Sequence, residues 1–280
     1  VQALAKAPVE DVMREWAGLG YYARARNLHK CAGIVANDYG GIFPQTPEEL
    51  KKLPGIGDYT AAAIAAIAFN ISSPVVDGNV ERVLARIFAL DEPLPGAKTA
   101  LKKLAIPFFE TGFQRPGDLA QAFMDLGSGP CIPSSPRCGL CPVTSLCRGH
   151  ERGLQAELPR KTPKAANPQK VGYVYLVRDA SGNIVLERRP EKAMMGGMSA
   201  FPTSSWEEGD INAIPHLSYL KLSAPPTTFI RHSFTHFDLQ LWLVEAQAQG
   251  AMPDNFYTVP PEALGEQGFP TLFKKAYKLW

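Results

Sequence analysis

The sequence has no long apolar run: nothing in it approaches the roughly 18 consecutive apolar residues of a membrane-spanning helix, and no signal-peptide pattern stands at its start. This sets aside a helical membrane protein. Cysteine is scarce and odd in number, five in all, which does not suit a disulfide-stapled secreted domain. A reduced, cytoplasmic protein is the expectation. A strong charge of one sign is missing too. Lys and Arg number 29 against 27 Asp and Glu, net +2, so charge alone does not announce a nucleic-acid partner. There is no internal repeat and no low-complexity tract. What is present is 280 residues, 45% hydrophobic and 20% charged, the balance of a globular chain long enough for about two domains, each with its own core. The chain opens on Val1, and VQALAKAP reads as a sequence entered midway.

The first half, to about residue 150, carries helical punctuation. Pro8 at a first-turn position and acidic Glu10 and Asp11 open a helix that Gly18 and Gly20 stop. A second helix is expected from Tyr22 to Tyr39, closed by Gly40–Gly41, and Thr46 and Glu49 form a capping box around Pro47. Residues 153–170 contain PRKTPKAANPQK, rich in proline and lysine without an apolar period, and read as an extended linker. Beyond it the period changes. A β-hairpin is expected from Val171–Val177 and Ile184–Arg188 around a turn at Asp179–Asn183, then a strand over Phe237–Val244 and a short basic helix from Thr271.

Three motifs carry chemistry. LPGIGDYTAAAIAAIAF places a tight turn, Pro54 to Gly57, before an alanine-rich helix that Asp58 could cap. Its glycines let a ligand's backbone approach and its helix N-terminus aims amide N–H groups outward, as a phosphate seat needs. A plain helical corner is the competing reading. In PVVDGNVERVLARIF, Asp77 precedes a helix with Val80, Val83, Leu84 and Ile87 on its apolar face. Asp77 is either an N-cap or a carboxylate that stabilises a sugar cation as its base departs. Finally Cys131, Cys138, Cys141 and Cys147 form a C-x6-C-x2-C-x5-C run. Four thiolates in one short loop call for a positive centre, and zinc and an iron–sulphur cluster both remain open. Cys31 stands apart on a helical face, in the core.

Together these motifs resemble the helix–hairpin–helix DNA glycosylases with an iron–sulphur loop, over roughly residues 1–150. The resemblance implies a [4Fe–4S] cluster held by Cys131, Cys138, Cys141 and Cys147. It also implies that Pro54, Gly55 and Gly57 hold the DNA backbone, that Asp77 is catalytic, and that the target base is flipped from the duplex. Bifunctional members carry a lysine nucleophile in the hairpin where this chain has Tyr59, and tyrosine cannot form a Schiff base. A monofunctional enzyme using water follows, with Tyr59 and Asn79 lining the pocket. GLGYYARARNLHK resembles the MutY-type adenine glycosylases closely, which makes Tyr21 a candidate wedge at the lesion. A tyrosine packing on the core is the alternative.

Residues 171–280 resemble the Nudix-like domain of the same family. An active Nudix hydrolase needs a glutamate-rich helix, but after Gly196–Gly197 this chain reads MSAFPTSSWEEGD, so the domain is expected to bind without hydrolysing. RHSFTHFDL matches the family loop that inspects 8-oxoguanine, giving Phe234, Thr235 and His236 as lesion readers; a strand-edge turn with a surface histidine is the alternative. The family's general-acid glutamate lies on a helix well before GLGYY, and no counterpart precedes Tyr21; Glu10 and Glu15 belong to a different helix. The chain is therefore expected to be an N-terminally incomplete enzyme, weakly active by itself, or an inactive homologue.

The expected architecture is multidomain. An all-α helix–hairpin–helix domain over 1–152, with its cluster loop at 131–147, is followed by a linker over 153–170 and an α+β Nudix-like domain over 171–280. The implied activity is excision of adenine opposite 8-oxoguanine or guanine in double-stranded DNA, by a monomeric, nucleoid-associated bacterial protein with no membrane role. A bifunctional pyrimidine-lesion glycosylase/lyase and a non-catalytic lesion-binding protein are the rivals.

Overall fold

The computed structural model describes residues 1–110, 114–163, 165–209 and 213–280. Lys164 of the expected linker and Asp210 of the MSAFPTSSWEEGD segment lie outside the described residues. The chain forms two compact units, one of Ile34–Lys164 and one in which Val1–Gly33 joins Ala165–Trp280. Residues 1–33, assigned to the helical half on sequence alone, thus contribute Met13, Tyr22 and Ala25 to the apolar core of the C-terminal unit. Among the described residues no helix is long and apolar enough to cross a membrane.

Ten α-helices are described. α1 (Gln2–Lys6), which the sequence reading did not include, precedes α2 (Val9–Glu15), and α3 (Ala23–Asp38) follows. Cys31, on α3, is buried, as expected of a core cysteine. The helical unit continues with α4 (Pro47–Leu50), α5 (Asp58–Phe69), α6 (Gly78–Ile87), α7 (Lys98–Glu110), α8 (Pro116–Ser128) and α9 (Arg148–Glu151). On α6 the apolar positions recur three and four apart, so Val80, Val83 and Leu84 share one face and join Ala62, Ala66, Leu101, Phe109 and Phe123 in the core. The alanines of α5 leave its backbone close to a neighbour: a Cβ added at Gly117 on α8 would stand 2.8 Å from the Ala66 carbonyl oxygen.

Residues 158–162, expected as free linker, are docked on this unit. Leu158 is buried, the Leu94 N–H donates to the Arg160 carbonyl, and the Thr162 N–H donates to the Leu94 carbonyl. Arg160 pairs with Asp91 at 2.6 Å and with Glu157 at 3.1 Å. The proline-lysine composition conceals these anchors because all but the buried Leu158 are backbone or surface polar contacts without an apolar period.

The second unit is built on eight strands: β1 (Gln169–Arg178), β2 (Ile184–Arg188), β3 (Ser199–Ala200), β4 (Glu207–Glu208), β5 (Leu220–Leu222), β6 (Phe229–Ser233), β7 (Asp238–Ala248) and β8 (Phe256–Val259). They form one sheet with the path β3-β2-β1-β7-β5, with β4 on β1, β6 on β7 and β8 on β2. β1 and β7 run parallel over ten residue pairs; the remaining named pairings are antiparallel. Alternation sends Val174, Leu176, Leu239 and Leu241 to one core, shared with Phe201 and with Leu272 and Phe273 of α10 (Thr271–Tyr277). Tyr173, Tyr175, Val177 and Val244 face the other. The β1–β2 hairpin matches the sequence pattern, its turn closed by Asp179 Oδ1, which accepts from the Ser181 and Asn183 N–H groups. Glu207 and Glu208 lie exposed in β4, on no helix.

Gly117→Ala should destabilise the helical unit by about 1–3 kcal/mol, because the added methyl meets backbone on both sides of the Ala66–Ile67 peptide. Urea unfolding measures it; an unchanged midpoint would show that α8 can shift freely.

Candidate functional site

The segment between α4 and α5 is a turn whose glycines have different reasons. Gly55 has φ +78°, a left-handed conformation that strains any side-chain residue. Gly57 has an extended φ of −91° and is the N-cap of α5; a Cβ there would meet nothing within 4 Å. The protein's own packing does not require a glycine at 57, whereas an incoming ligand backbone would use the space. Asp58, expected as the cap, is instead the first helical residue and makes no cap bond. Its exposed carboxylate pairs with Lys51 and Lys102, each at 3.4 Å, and these cations hold it below the usual carboxylate range.

Tyr59, one residue on, is part exposed, with its hydroxyl 3.9 Å from the Met124 sulphur. Burial pushes the phenol above its ordinary value, and the negative Asp77 adds to the shift. Asp77 is the N-cap of α6: Oδ1 accepts from the Asn79 and Val80 N–H groups at 2.8 Å each, and Oδ2 accepts from Asn79 Nδ2 at 3.2 Å. The N-cap reading of Asp77 is thus met: the cap engages Oδ1, while Oδ2 carries one weaker bond. The structure therefore gathers Tyr59, Asp77 and Asn79 at one place.

Two residues that sequence reasoning missed lie behind them. Arg82 donates from NH2 to Asn79 Oδ1 at 3.0 Å and to the Gly127 carbonyl at 2.6 Å, and from Nε to the Cys131 carbonyl at 2.8 Å. Arg86, only 2% exposed, donates to the carbonyls of Leu158, Ile132 and Pro133 and, at 3.3 Å, to the Cys131 sulphur. A continuous polar chain thus runs Asp77, Asn79, Arg82, Cys131, Arg86. In sequence both arginines pass for the solvated face of an amphipathic helix. The available signal was their spacing of four on the helix that Asp77 caps, followed by a loop of thiols needing a cation.

The four loop cysteines are free of disulfides. Cys131, Cys141 and Cys147 lie near enough to Cys138 that their charges add to burial in pushing its thiol up. Among the described residues no three His, Cys, Asp or Glu side chains are grouped as one bound ion requires. Four thiols near one another in one loop, with the Arg86 guanidinium 3.3 Å from the Cys131 sulphur, are the donor set that an iron–sulphur cluster takes.

In the sheet unit, Tyr21 and the β6–β7 turn line a single cavity of about 730 Å³, together with Arg24, Lys192, Met194, Met195 and His232. Tyr21 has φ +47° and is 72% exposed, so it is not the core tyrosine of the alternative reading. Its neighbour Tyr22 has that role. The turn is closed by the Phe234 N–H on the Phe237 carbonyl at 2.8 Å. Phe234 stacks on Trp206 at 5.8 Å, while Thr235 and His236 are exposed at the tip. Burial, helped by Lys275, pushes the nearby His232 imidazole below its usual value.

Comparison with known proteins yields three family matches. Residues 1–107 match the HhH-GPD superfamily of base excision DNA repair proteins, residues 131–147 the iron–sulphur binding domain of endonuclease III, and residues 173–279 the NUDIX domain. Among curated relatives, adenine DNA glycosylase of Homo sapiens is 32% identical over all of this chain and 62% of its own length. That of Buchnera aphidicola subsp. Acyrthosiphon pisum is 30% identical over 86% of this chain and 69% of its own. The chain spans about three-fifths of the human and rat relatives, 62% and 59%. A thermostable thymine-DNA glycosylase structure is 33% identical over 54% of this chain and 70% of its own, with a TM-score of 0.47.

Arg86→Met removes the donors for the Ile132, Pro133 and Leu158 carbonyls at once, so it should cost at least about 3 kcal/mol of stability, seen as a lower melting midpoint. The purified variant should also hold less iron and acid-labile sulphide than wild type. Full iron retention would mean that the cysteine loop closes without Arg86.

Proposed function

The chain belongs to the adenine DNA glycosylase family, and on that premise we propose that it hydrolyses the N-glycosidic bond of adenine mispaired with 8-oxoguanine or guanine, without cleaving the strand. The observation that carries this reading is the placement of Asp77: a carboxylate fixed at a helix N-terminus with Tyr59 and Asn79 beside it, and no lysine at the hairpin position. As the base departs, the sugar gains oxocarbenium character, and a preorganised negative charge stabilises that state more than the ground state. Adenine leaves as a poor anion unless it is protonated, and no residue of the 280 is assigned that proton transfer. Water is the final nucleophile, positioned by Tyr59 and Asn79.

Pro54, Gly55 and Gly57 would seat a DNA phosphate at the N-terminus of α5, a reading supported by the open space at Gly57. Tyr21, Phe234, Thr235 and His236 would read the oxidised guanine, supported by their sharing one cavity. Cys131, Cys138, Cys141 and Cys147 would hold a [4Fe–4S] cluster, which when bound supplies a centre that ties the loop together. The partner is double-stranded DNA, engaged by a monomer.

Asp77→Asn is the decisive variant, because asparagine caps a helix as well as aspartate does. The fold should persist and a change in rate should report the lost charge. Single-turnover excision of adenine opposite 8-oxoguanine by the full gene product should fall by about a thousandfold, with duplex binding retained. Excision within about tenfold of wild type would leave Asp77 a helix cap only. Borohydride added during turnover should trap no protein–DNA adduct; an adduct lost in Tyr59→Phe would overturn the monofunctional reading.

A further inference from the structure

Opposite the β6–β7 turn, the cavity is walled by residues 192–196, a loop with no ladder to fix it. Its Met195 has φ +57°, a left-handed conformation that costs a side-chain residue energy and persists only where the surroundings impose it. Two guanidiniums hold the loop on either side of it, at the carbonyls of Met194 and Gly196. Arg189 Nε donates to the Met194 carbonyl at 2.7 Å, and Arg26 donates to the Gly196 carbonyl. A Cβ at Gly196 would fall 2.2 Å from the Glu191 carbonyl oxygen, so the loop folds tightly back on itself.

Arg189 reaches the other wall as well. Its guanidinium lies over the Trp206 ring at 5.4 Å, and Trp206 stacks on Phe234 of the turn. Gly172 on β1 makes room for that indole: a Cβ there would meet Trp206 Cδ1 at 2.6 Å. The guanidinium is in turn fixed by Glu187 at 3.0 Å, with both side chains under 15% exposed, and by Thr203 Oγ1 at 3.3 Å. A buried pair with this many additional bonds holds one geometry.

We propose that Arg189, clamped by Glu187, is a positioning residue for lesion specificity, setting the spacing between the Lys192–Gly196 wall and the Phe234–His236 wall of the cavity. This rests on the reading of that cavity as the 8-oxoguanine site. Arg189 bonds Met194 of the lining and lies over Trp206, which stacks on Phe234, so it acts on discrimination through these residues. Lysine at 189 would keep the charge against Glu187 but not the fork that binds Met194, Thr203 and Glu187 at once.

The test measures the dissociation constants of the 280-residue chain for duplexes with adenine opposite 8-oxoguanine and opposite guanine, by fluorescence anisotropy at one fixed salt concentration. Arg189→Lys should narrow the preference for the oxidised duplex by about fivefold or more, with affinity for the guanine duplex retained. Glu187→Gln, which keeps the arginine but loosens it, should narrow it in the same direction; it is the variant read should Arg189→Lys fail to fold. A purely structural role would lower both affinities in parallel with the melting midpoint and leave the ratio unmoved. An unmoved ratio, while Thr235→Ala with His236→Ala narrows it, overturns the positioning role and spares the lesion reading. A wild-type chain without preference, or a ratio that the Thr235/His236 pair does not move, defeats the lesion reading and the inference with it.

Discussion

The helical unit depends on two guanidiniums buried in α6. A cation taken out of water is costly unless every donor finds an acceptor, and Arg82 and Arg86 find theirs almost entirely among backbone carbonyls, Gly127 in the last turn of α8 and Cys131, Ile132, Pro133 and Leu158 in irregular segments. The dependence is mutual. Residues 131–147 have only short 3-10 turns of their own, so their carbonyls need donors from elsewhere, and a helix with two arginines four apart supplies them. The neighbouring glycines follow from this. A Cβ at Gly149 would lie 2.5 Å from the Arg86 carbonyl, and one at Gly127 would lie 2.7 Å from the Asn79 Cβ. The Asp77 carboxylate at one end of α6 and the cysteine loop along its side are therefore placed by the same rigid element.

That placement also makes capping compatible with the catalytic role proposed for Asp77. A helix N-terminus concentrates N–H donors and positive potential. These fix a carboxylate's rotamer by direct hydrogen bonding. The ordinary structural role would provide the preorganisation a transition-state charge requires, and the second oxygen, bonded among the described residues to the Asn79 side chain alone, retains acceptor capacity.

Legibility in the sequence divides along physical lines. Features set by local chemistry were readable. The apolar period of α6, the Asp179 turn of the β1–β2 hairpin, the four-cysteine loop and the Thr46 cap, whose Oγ1 accepts from the Glu49 N–H at 3.4 Å, all follow from spacing within a few residues. Features set by long-range partners were not. Arg82 and Arg86 pass for surface charge until the loop 45 or more positions away is folded beside them. Asp58 has the composition of a cap, but Gly57 occupies that position and two lysines, one of them 44 residues away, take the carboxylate outward. The association of residues 1–33 with the C-terminal sheet was equally hidden. Met13 and Ala25 lie on helices and Tyr22 just ahead of one, and periodicity states which face is apolar without stating what covers it.

The sheet unit solves its own loop problem with the same chemistry, which argues that the solution comes from the residue type and not from the fold. The loop ahead of Gly197 has carbonyls that no strand can satisfy, just as the cysteine loop has, and arginines again come to them: Arg189 to Met194, Arg26 to Gly196. Lysine, a point charge on a flexible stem, could neutralise but not orient such groups, whereas five donors in a fixed plane can hold several acceptors in one arrangement. The two cases differ in where the charge is balanced. Arg189 has a carboxylate partner in Glu187. Among the described residues Arg86 is bonded to no carboxylate and instead contacts the sulphur of Cys131, a partner that balances the buried charge only as a thiolate. A cluster-bound cysteine is one, and the arginine that shapes the loop is therefore most stable when the loop is loaded.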